Sequence, residues 1–193
     1  MNQAPRMGET HGAVPQLVRS VVLIGLMGAG KTSVGLRLAA ALGVRAIDSD
    51  HEIERVSALT IPEIFERYGE PEFRALERRV LSRLMNETPS VISAGGGAFM
   101  NPKTRAVIRR RGISVWLRAD LDLLVSRTAG RTHRPLLNQG NPRKILAGLI
   151  DERYPVYGEA DITVDSAPGQ THEDMAAKII EALLAHGRAV GER

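Results

Sequence analysis

Residues 21–32 read Val-Val-Leu-Ile-Gly-Leu-Met-Gly-Ala-Gly-Lys-Thr, an apolar run that turns directly into a glycine-rich stretch. The run Val21 to Ile24 does not alternate with polar residues, which predicts a short strand buried on both faces. Gly25 to Thr32 fits G-x-x-x-x-G-K-[ST], the pattern of a loop that cradles phosphates between a strand and a helix. The flanks agree, because Val34, Leu38 and Leu42 repeat along one face of a helix over 31–42 that Gly43 ends. In such a loop the main-chain N–H groups of Gly28, Ala29, Gly30 and Ser33 curl around phosphate oxygens and the helix start adds a favourable dipole. Lys31 reaches the outer phosphates, and the Thr32 hydroxyl suits a magnesium ion. The pattern alone does not separate phosphoryl transfer from hydrolysis or switching.

Working outward, short apolar segments at 44–47, 90–93, 113–117 and 161–164 read as further strands. Between them lie helical stretches: one beginning after Pro62, one from about Glu70 to Met85, and others at 103–110, 121–128 and 142–153, with a last one carrying Met175 to Leu184. Strands alternating with helices predict an α/β fold, a parallel sheet of about five strands with helices on both faces and ligands at the strands' carboxyl ends. Residues 1–18 and 188–193 lack such a pattern and are expected to be flexible ends of one domain over 19–187. The stretch 129–141, AGRTHRPLLNQGN, is rich in breakers and basic residues and reads as a mobile loop.

Composition narrows the classes. The 193 residues carry 26 Lys and Arg against 22 Asp and Glu, with 43% hydrophobic and 25% charged residues, the usage of a folded domain. Aromatics are only 4%, so aliphatic side chains are expected to fill most of the core. The pI of 9.8 rests on a surplus of only four charges among interspersed acids, which argues for local basic clusters rather than a nucleic-acid partner. With no cysteine, a disulfide scaffold, a thiolate metal site and a cysteine nucleophile are excluded. No apolar run approaches the roughly 20 residues that span a bilayer, and the first nineteen residues carry no export signal, so the expectation is a cytoplasmic protein without a membrane partner.

Several residues stand where an acceptor for the phosphate would be handled. Asp48 and Asp50 follow the second strand, and alternation predicts that one faces a metal and the other the acceptor; alternatively Asp50 caps a helix beginning near His51. In EPEFRALERR, Phe73, Leu76 and Val80 define a buried side, and Glu77 lies three residues after Arg74, in position to orient its guanidinium. Gly95, Gly96 and Gly97 close the third strand and permit a ligand to approach the main chain.

Together GLMGAGKT, DSD, GEPEFRALE, ISAGGG, RPLL and ERYPVYGEAD occur in the order and spacing of the bacterial shikimate kinases, and the chain resembles that family from about Val21 to its last helix. The resemblance implies the fold of the nucleoside monophosphate kinases, with a substrate-binding subregion at about 49–80 and a lid at about 129–141. It implies a monomer that phosphorylates the 3-hydroxyl of shikimate with ATP. Carried over, Asp50 contacts the reactive hydroxyl, Arg74 and Arg153 the substrate carboxylate, and the Gly96 backbone the ring hydroxyls. Arg134 reaches the transferring phosphate from the lid, and Arg127 lies near the adenine or the phosphates. Ala94 and Leu26 depart from the usual threonine and proline. The strand leading to the three glycines offers no metal-binding carboxylate, so magnesium would rest on Thr32, with Asp48 helping through the second shell. Gluconate and nucleotide kinases share the loop and sheet. A nucleotide-dependent switch or nucleic-acid binder would instead use Lys103–Arg111 as a basic face, although charge runs on helices are usually solvated.

Overall fold

A computed structural model describes residues 16–129 and 140–187, together with the backbone of Val190 and Gly191. Its centre is a five-stranded parallel sheet in the order β3-β4-β2-β5-β6, where β2 is Ser20–Ile24, β3 Arg45–Asp48, β4 Ser90–Ser93, β5 Gly112–Arg118 and β6 Ile162–Asp165. The apolar run read first is the middle strand, and each of its residues is buried. An unalternating sequence is what a strand covered on both faces requires. The outer strand β3 carries polar residues at both ends and is largely exposed.

Chain order runs outward from β2 to the edge at β3, returns to β4, and crosses to β5 on the far side. Such a reversal opens a crevice at the carboxyl ends of the strands, and the loop after β2 sits in it. The helices are α1 Lys31–Leu42, α2 Ser49–Ser57, α3 Ile61–Leu84, α4 Pro102–Arg111, α5 Leu121–Thr128, α6 Pro142–Tyr157 and α7 His172–His186. α1 and α7 pack on one another, α4 packs on β5 and α3, and α5 packs on α6.

The two helical stretches expected around residues 62–85 are both present within α3, separated by a break at Gly69 (φ 77°, ψ 173°) two residues before Pro71. Pro71 cannot donate to a continuing helix, so the second stretch starts afresh beside it. Thr60 and Glu63 cap the first stretch reciprocally.

Three readings need correction. β3 ends at Asp48, and Asp48, not Asp50, caps α2, its side chain accepting from Asp50 N at 3.0 Å. Asp48 and Asp50 therefore diverge because the chain changes from strand to helix between them, not by strand alternation. The expected flexible ends are also partly ordered. A strand β1, Gln16–Leu17, pairs antiparallel with β7, Val190–Gly191, and Leu17 is buried. Short segments whose partners lie at opposite ends of the chain leave no local periodicity to read. Residues 130–139, including Arg134 of the expected lid, lie outside the described residues.

Four of the seven aromatic side chains are gathered in one place, while Phe65 and Phe73 stack separately on α3. Trp116 of β5, Tyr154 and Tyr157 of α6, and Phe99 of the 3-10 turn Ala98–Met100 form a cluster in which Trp116 and Tyr154 meet edge to face at 4.8 Å. Elsewhere, apart from Phe73, the core is aliphatic, as the composition requires.

Candidate active site

A cavity of about 480 Å³ opens at the carboxyl ends of β2, β3 and β4, a size usual for small-molecule sites. Its walls include Gly28, Gly30, Lys31, Thr32 and Ser33 from the phosphate loop, and Asp48 and Asp50 from the junction of β3 and α2. Arg74, Gly95 to Gly97 and Arg153 complete the far side. Arg127 lines it from α5. Ala29 is buried beneath the loop, and its N–H donates to Leu26 O at 3.1 Å to close the turn. All the expected site residues that are described, apart from Ala29, thus face one cavity.

At the loop, Lys31 Nζ donates to Gly25 O at 2.8 Å and to Leu26 O at 3.2 Å, which folds the ammonium back over the turn. Thr32 Oγ1 donates to Asp48 Oδ2 at 3.1 Å. A hydroxyl and a carboxylate, both oxygen donors, are thereby brought side by side at the start of α1. Among the described residues no group of three or more His, Asp or Glu could by itself hold a metal ion.

At the opposite end the glycine loop carries charged side chains against its main chain. A Cβ placed on Gly95 would lie 2.6 Å from Asp50 Oδ1, and one placed on Gly97 would lie 2.4 Å from Arg74 Nη2. Only glycine permits these approaches. Gly95 N donates to Ser49 Oγ at 3.1 Å, so the buried serine of the DSD run anchors the loop. Arg74 Nη1 donates to Glu77 Oε2 at 2.9 Å and its Nε to Glu70 Oε1 at 3.2 Å, so Glu77 orients the guanidinium as its spacing suggests. Arg153 Nη1 donates to Gly96 O at 3.2 Å.

Two carboxyls here are held above the usual carboxylate range. For Asp50 the main cause is burial, reinforced by Asp48 and opposed by Lys31. For Glu77 it is again burial, opposed by Arg74. Glu77 is 1% exposed, and its Oε1 has no hydrogen-bond partner among the described residues. Proton affinities raised in a cleft are a frequent mark of a functional site.

Two residues near the cavity are given no role from the sequence. His172, the first residue of α7, lines the cavity with its ring near Gly30. Tyr157 donates to Gly96 O from inside the aromatic cluster; the available hints are its place in ERYPVYGEAD and its spacing of four from Arg153, which puts both on one helix face. The basic run Lys103–Arg111 is largely committed within the fold. Arg105 donates to Phe99 O and Met100 O, Arg109 pairs with Glu159, and Arg111 bonds Ser82 and Asn86. No helix among the described residues is long and apolar enough to cross a membrane.

Comparison with known proteins gives the same picture. The family model described as shikimate kinase matches residues 27–184. A shikimate kinase of Mesorhizobium japonicum is 52% identical over 168 residues, 87% of this chain and 82% of that one. One of Rhizobium leguminosarum is 54% identical over 166 residues, 86% and 84% of the two chains. Among solved structures, the shikimate kinase from Acinetobacter baumannii in complex with shikimate superposes with a TM-score of 0.80 at 40% identity, covering 91% of this chain and 96% of that one. A phosphate loop, a carboxyl-bearing junction and a guanidinium-lined glycine loop around one cavity accord with that likeness, and the chain belongs to the shikimate kinase family.

Proposed function

We propose that this chain transfers the γ-phosphoryl group of ATP to the 3-hydroxyl of shikimate, releasing shikimate 3-phosphate and ADP as a step toward aromatic amino acids. The observation that carries the assignment of residues is the sharing of one cavity by the phosphate loop, Asp50 and the two guanidinium groups of Arg74 and Arg153. Shikimate is a small polyol with one carboxylate, so two arginine forks and a carboxyl beside main-chain amides match its groups.

In this reading the N–H groups of Gly28, Ala29 and Gly30, together with Lys31, Thr32 and Ser33, hold the phosphates. Arg127 lies toward the base or the phosphates. Arg74, kept in place by Glu77, and Arg153 take the carboxylate of shikimate, and the main chain of Gly95 to Gly97 reads its hydroxyls. Asp50 accepts the hydrogen of the reactive hydroxyl and aims its oxygen at the phosphorus. Burial raises the proton affinity of Asp50, which suits it to take that proton as the O–P bond forms. Phosphoryl transfer of this kind is governed by positioning and charge stabilisation, which Lys31 supplies at the outer oxygens.

Thr32 and Asp48 offer a hydroxyl and a carboxylate in contact at 3.1 Å, which fits a small hard cation that retains water, and these residues would hold Mg2+ against the phosphates. Held there, such a cation would supply neutralisation of the charge on the β- and γ-phosphates. The subregion 49–80 carries Asp50 and Arg74 of the acceptor side, and segment 129–141 acts as a lid that brings Arg134 to the transferring phosphate and excludes water. The chain works as a monomer in the cytoplasm, where ATP is supplied, because the groups assigned to both substrates come from a single chain.

A coupled ADP-release assay with shikimate, quinate and gluconate side by side tests the reading. ADP release with shikimate well above that with the other two is expected. Turnover with gluconate alone overturns it.

A further inference from the structure

The three carbonyls of the glycine loop are held in two different ways. Gly95 O accepts from Ala98 N at 3.0 Å and Gly97 O from Met100 N at 3.1 Å, both within the local turn. Gly96 O is held from α6, where it accepts from Arg153 Nη1 at 3.2 Å and from the Tyr157 hydroxyl. The two donors stand four residues apart on one helix face. Tyr157 is 0% exposed, and its ring is boxed in by Trp116, Tyr154 and Phe99 with centroids 6.0, 6.3 and 6.4 Å away. In a chain with only three tyrosines, this one spends a buried hydroxyl on one loop carbonyl.

A carbonyl oxygen has two lone pairs and can keep both donors. The donors differ in what an incoming anion does to them. A carboxylate entering the cleft competes for the Arg153 guanidinium, because a bond between two ions is stronger than one to a neutral carbonyl. The Tyr157 phenol is neutral and walled in by rings, so it does not follow the anion. Burial holds that phenol above its ordinary range, with the charge of Arg153 and a hydrogen bond from its guanidinium opposing, so it remains protonated and a donor to Gly96 O.

We propose that Tyr157 is a positioning residue for the acceptor, keeping the Gly96 carbonyl satisfied and the glycine loop fixed while Arg153 turns from that carbonyl to the carboxylate of the substrate. Without the hydroxyl, releasing Arg153 strips a part-buried carbonyl of its last donor among the described residues, and the guanidinium is held back from the anion. The inference rests on the assignment of Arg153 to the substrate carboxylate.

Tyr157→Phe keeps the ring and removes only the hydroxyl. Its kcat/KM for shikimate is expected to fall about five- to twentyfold, the range for a part-buried acceptor left unpaired, through KM and not kcat. KM for ATP should stay within about twofold, and a melting curve checks that the variant is folded. In an Arg153→Ala background the same change should alter kcat/KM for shikimate by less than about twofold, because no guanidinium remains to be released. A shikimate KM in Tyr157→Phe within about twofold of wild type overturns the role, as does an equal rise in both KM values or an undiminished effect beside Arg153→Ala. If Arg153→Ala alone leaves the shikimate KM unchanged, the assignment of Arg153 fails and takes the inference with it. If Arg153→Ala weakens shikimate while Tyr157→Phe does not, the inference fails by itself.

Discussion

The two ends of the cleft are built from different materials. The phosphate end is one unbroken stretch, residues 25–33, in which main-chain groups dominate and the charged side chain, Lys31, is folded onto the loop's own carbonyls. The acceptor end is assembled from separate segments: Asp50 from α2, Arg74 and Glu77 from α3, the glycines after β4, and Arg153 from α6. It depends on side-chain charges in a partly buried place, and two of its carboxyls are pushed up by burial. A site made of main chain is inexpensive to form and recognises any polyphosphate. One made of opposed, desolvated charges is held at some cost in stability and selects a particular acid.

Asp50 gives the largest test of this contrast. Asp50→Asn should lower kcat by about a hundredfold or more, within the range for a positioned acid or base, while ATP binding is unchanged. Steady-state kinetics with nucleotide binding measured separately checks this, and near wild-type turnover would remove Asp50 from the chemistry. The same variant should be more stable at neutral pH. A carboxyl whose folded-state pKa is raised binds its proton more tightly folded than unfolded, so stability is greatest below the ordinary carboxylate range and falls as pH rises through the raised value. Asparagine removes that loss. The melting temperature should therefore rise by about 2 °C or more at pH 7, with the gain fading below about pH 4. A variant equally stabilised at both pH values would refute the account of burial.

What could be read from the sequence follows the same division. The phosphate loop is contiguous, with a glycine spacing and flanks that a linear pattern captures, and every strand of the central sheet falls within a residue or so of its expected bounds. The charge pair of Arg74 and Glu77 was legible because its partners share a helix turn. α2 was visible only as a capping signal, since its nine residues are mostly polar and bury only Ser49 and Ile53, too few apolar positions for a repeat to stand out. Tyr157 and Gly96, 61 residues apart, meet through the topology alone, and so do Ser49 and Gly95, 46 apart. Contacts of that span have no local signature.

Gly97→Ala sharpens the contrast at an intermediate scale. The new methyl would fall 2.4 Å from Arg74 Nη2 and 2.8 Å from its Cζ, so something must move. What moves is the far end of a flexible side chain, not the backbone, which makes the change inexpensive to the fold and costly to the placement of the guanidinium. Shikimate KM should rise about tenfold, as for a lost hydrogen bond to a charged group, with ATP KM and melting temperature nearly unchanged. An ATP KM that rose in parallel would mean that the two ends are not separable in the way their construction implies.

The smallest effect is expected at Gly69, outside the cavity. Its φ of 77° breaks α3 into an outer stretch beginning at Ile61 and an inner one that carries Phe73, Arg74 and Glu77. The outer stretch is tied to α2, which brings Asp50, where Ile61 N donates to Glu54 Oε1 at 3.0 Å, and Arg83 of the inner stretch pairs with Glu52 of α2. The angle at Gly69 thus sets how the two carriers of the acceptor side lie against each other. At φ 77° and ψ 173°, a region open essentially to glycine, alanine costs about 1–3 kcal/mol, so Gly69→Ala should lower the melting temperature by about 2–12 °C. If the backbone relaxes toward a continuous helix, Pro71 resists it, and the strain falls on the placement of Arg74 relative to Asp50. A rise of about two- to fourfold in shikimate KM with an unchanged ATP KM is the expected kinetic trace, the size of a shift well under 1 kcal/mol. The phosphate end, fixed on the central strand and on α1, has no such joint, and Gly69→Ala raising the ATP KM instead would show that the joint lies elsewhere.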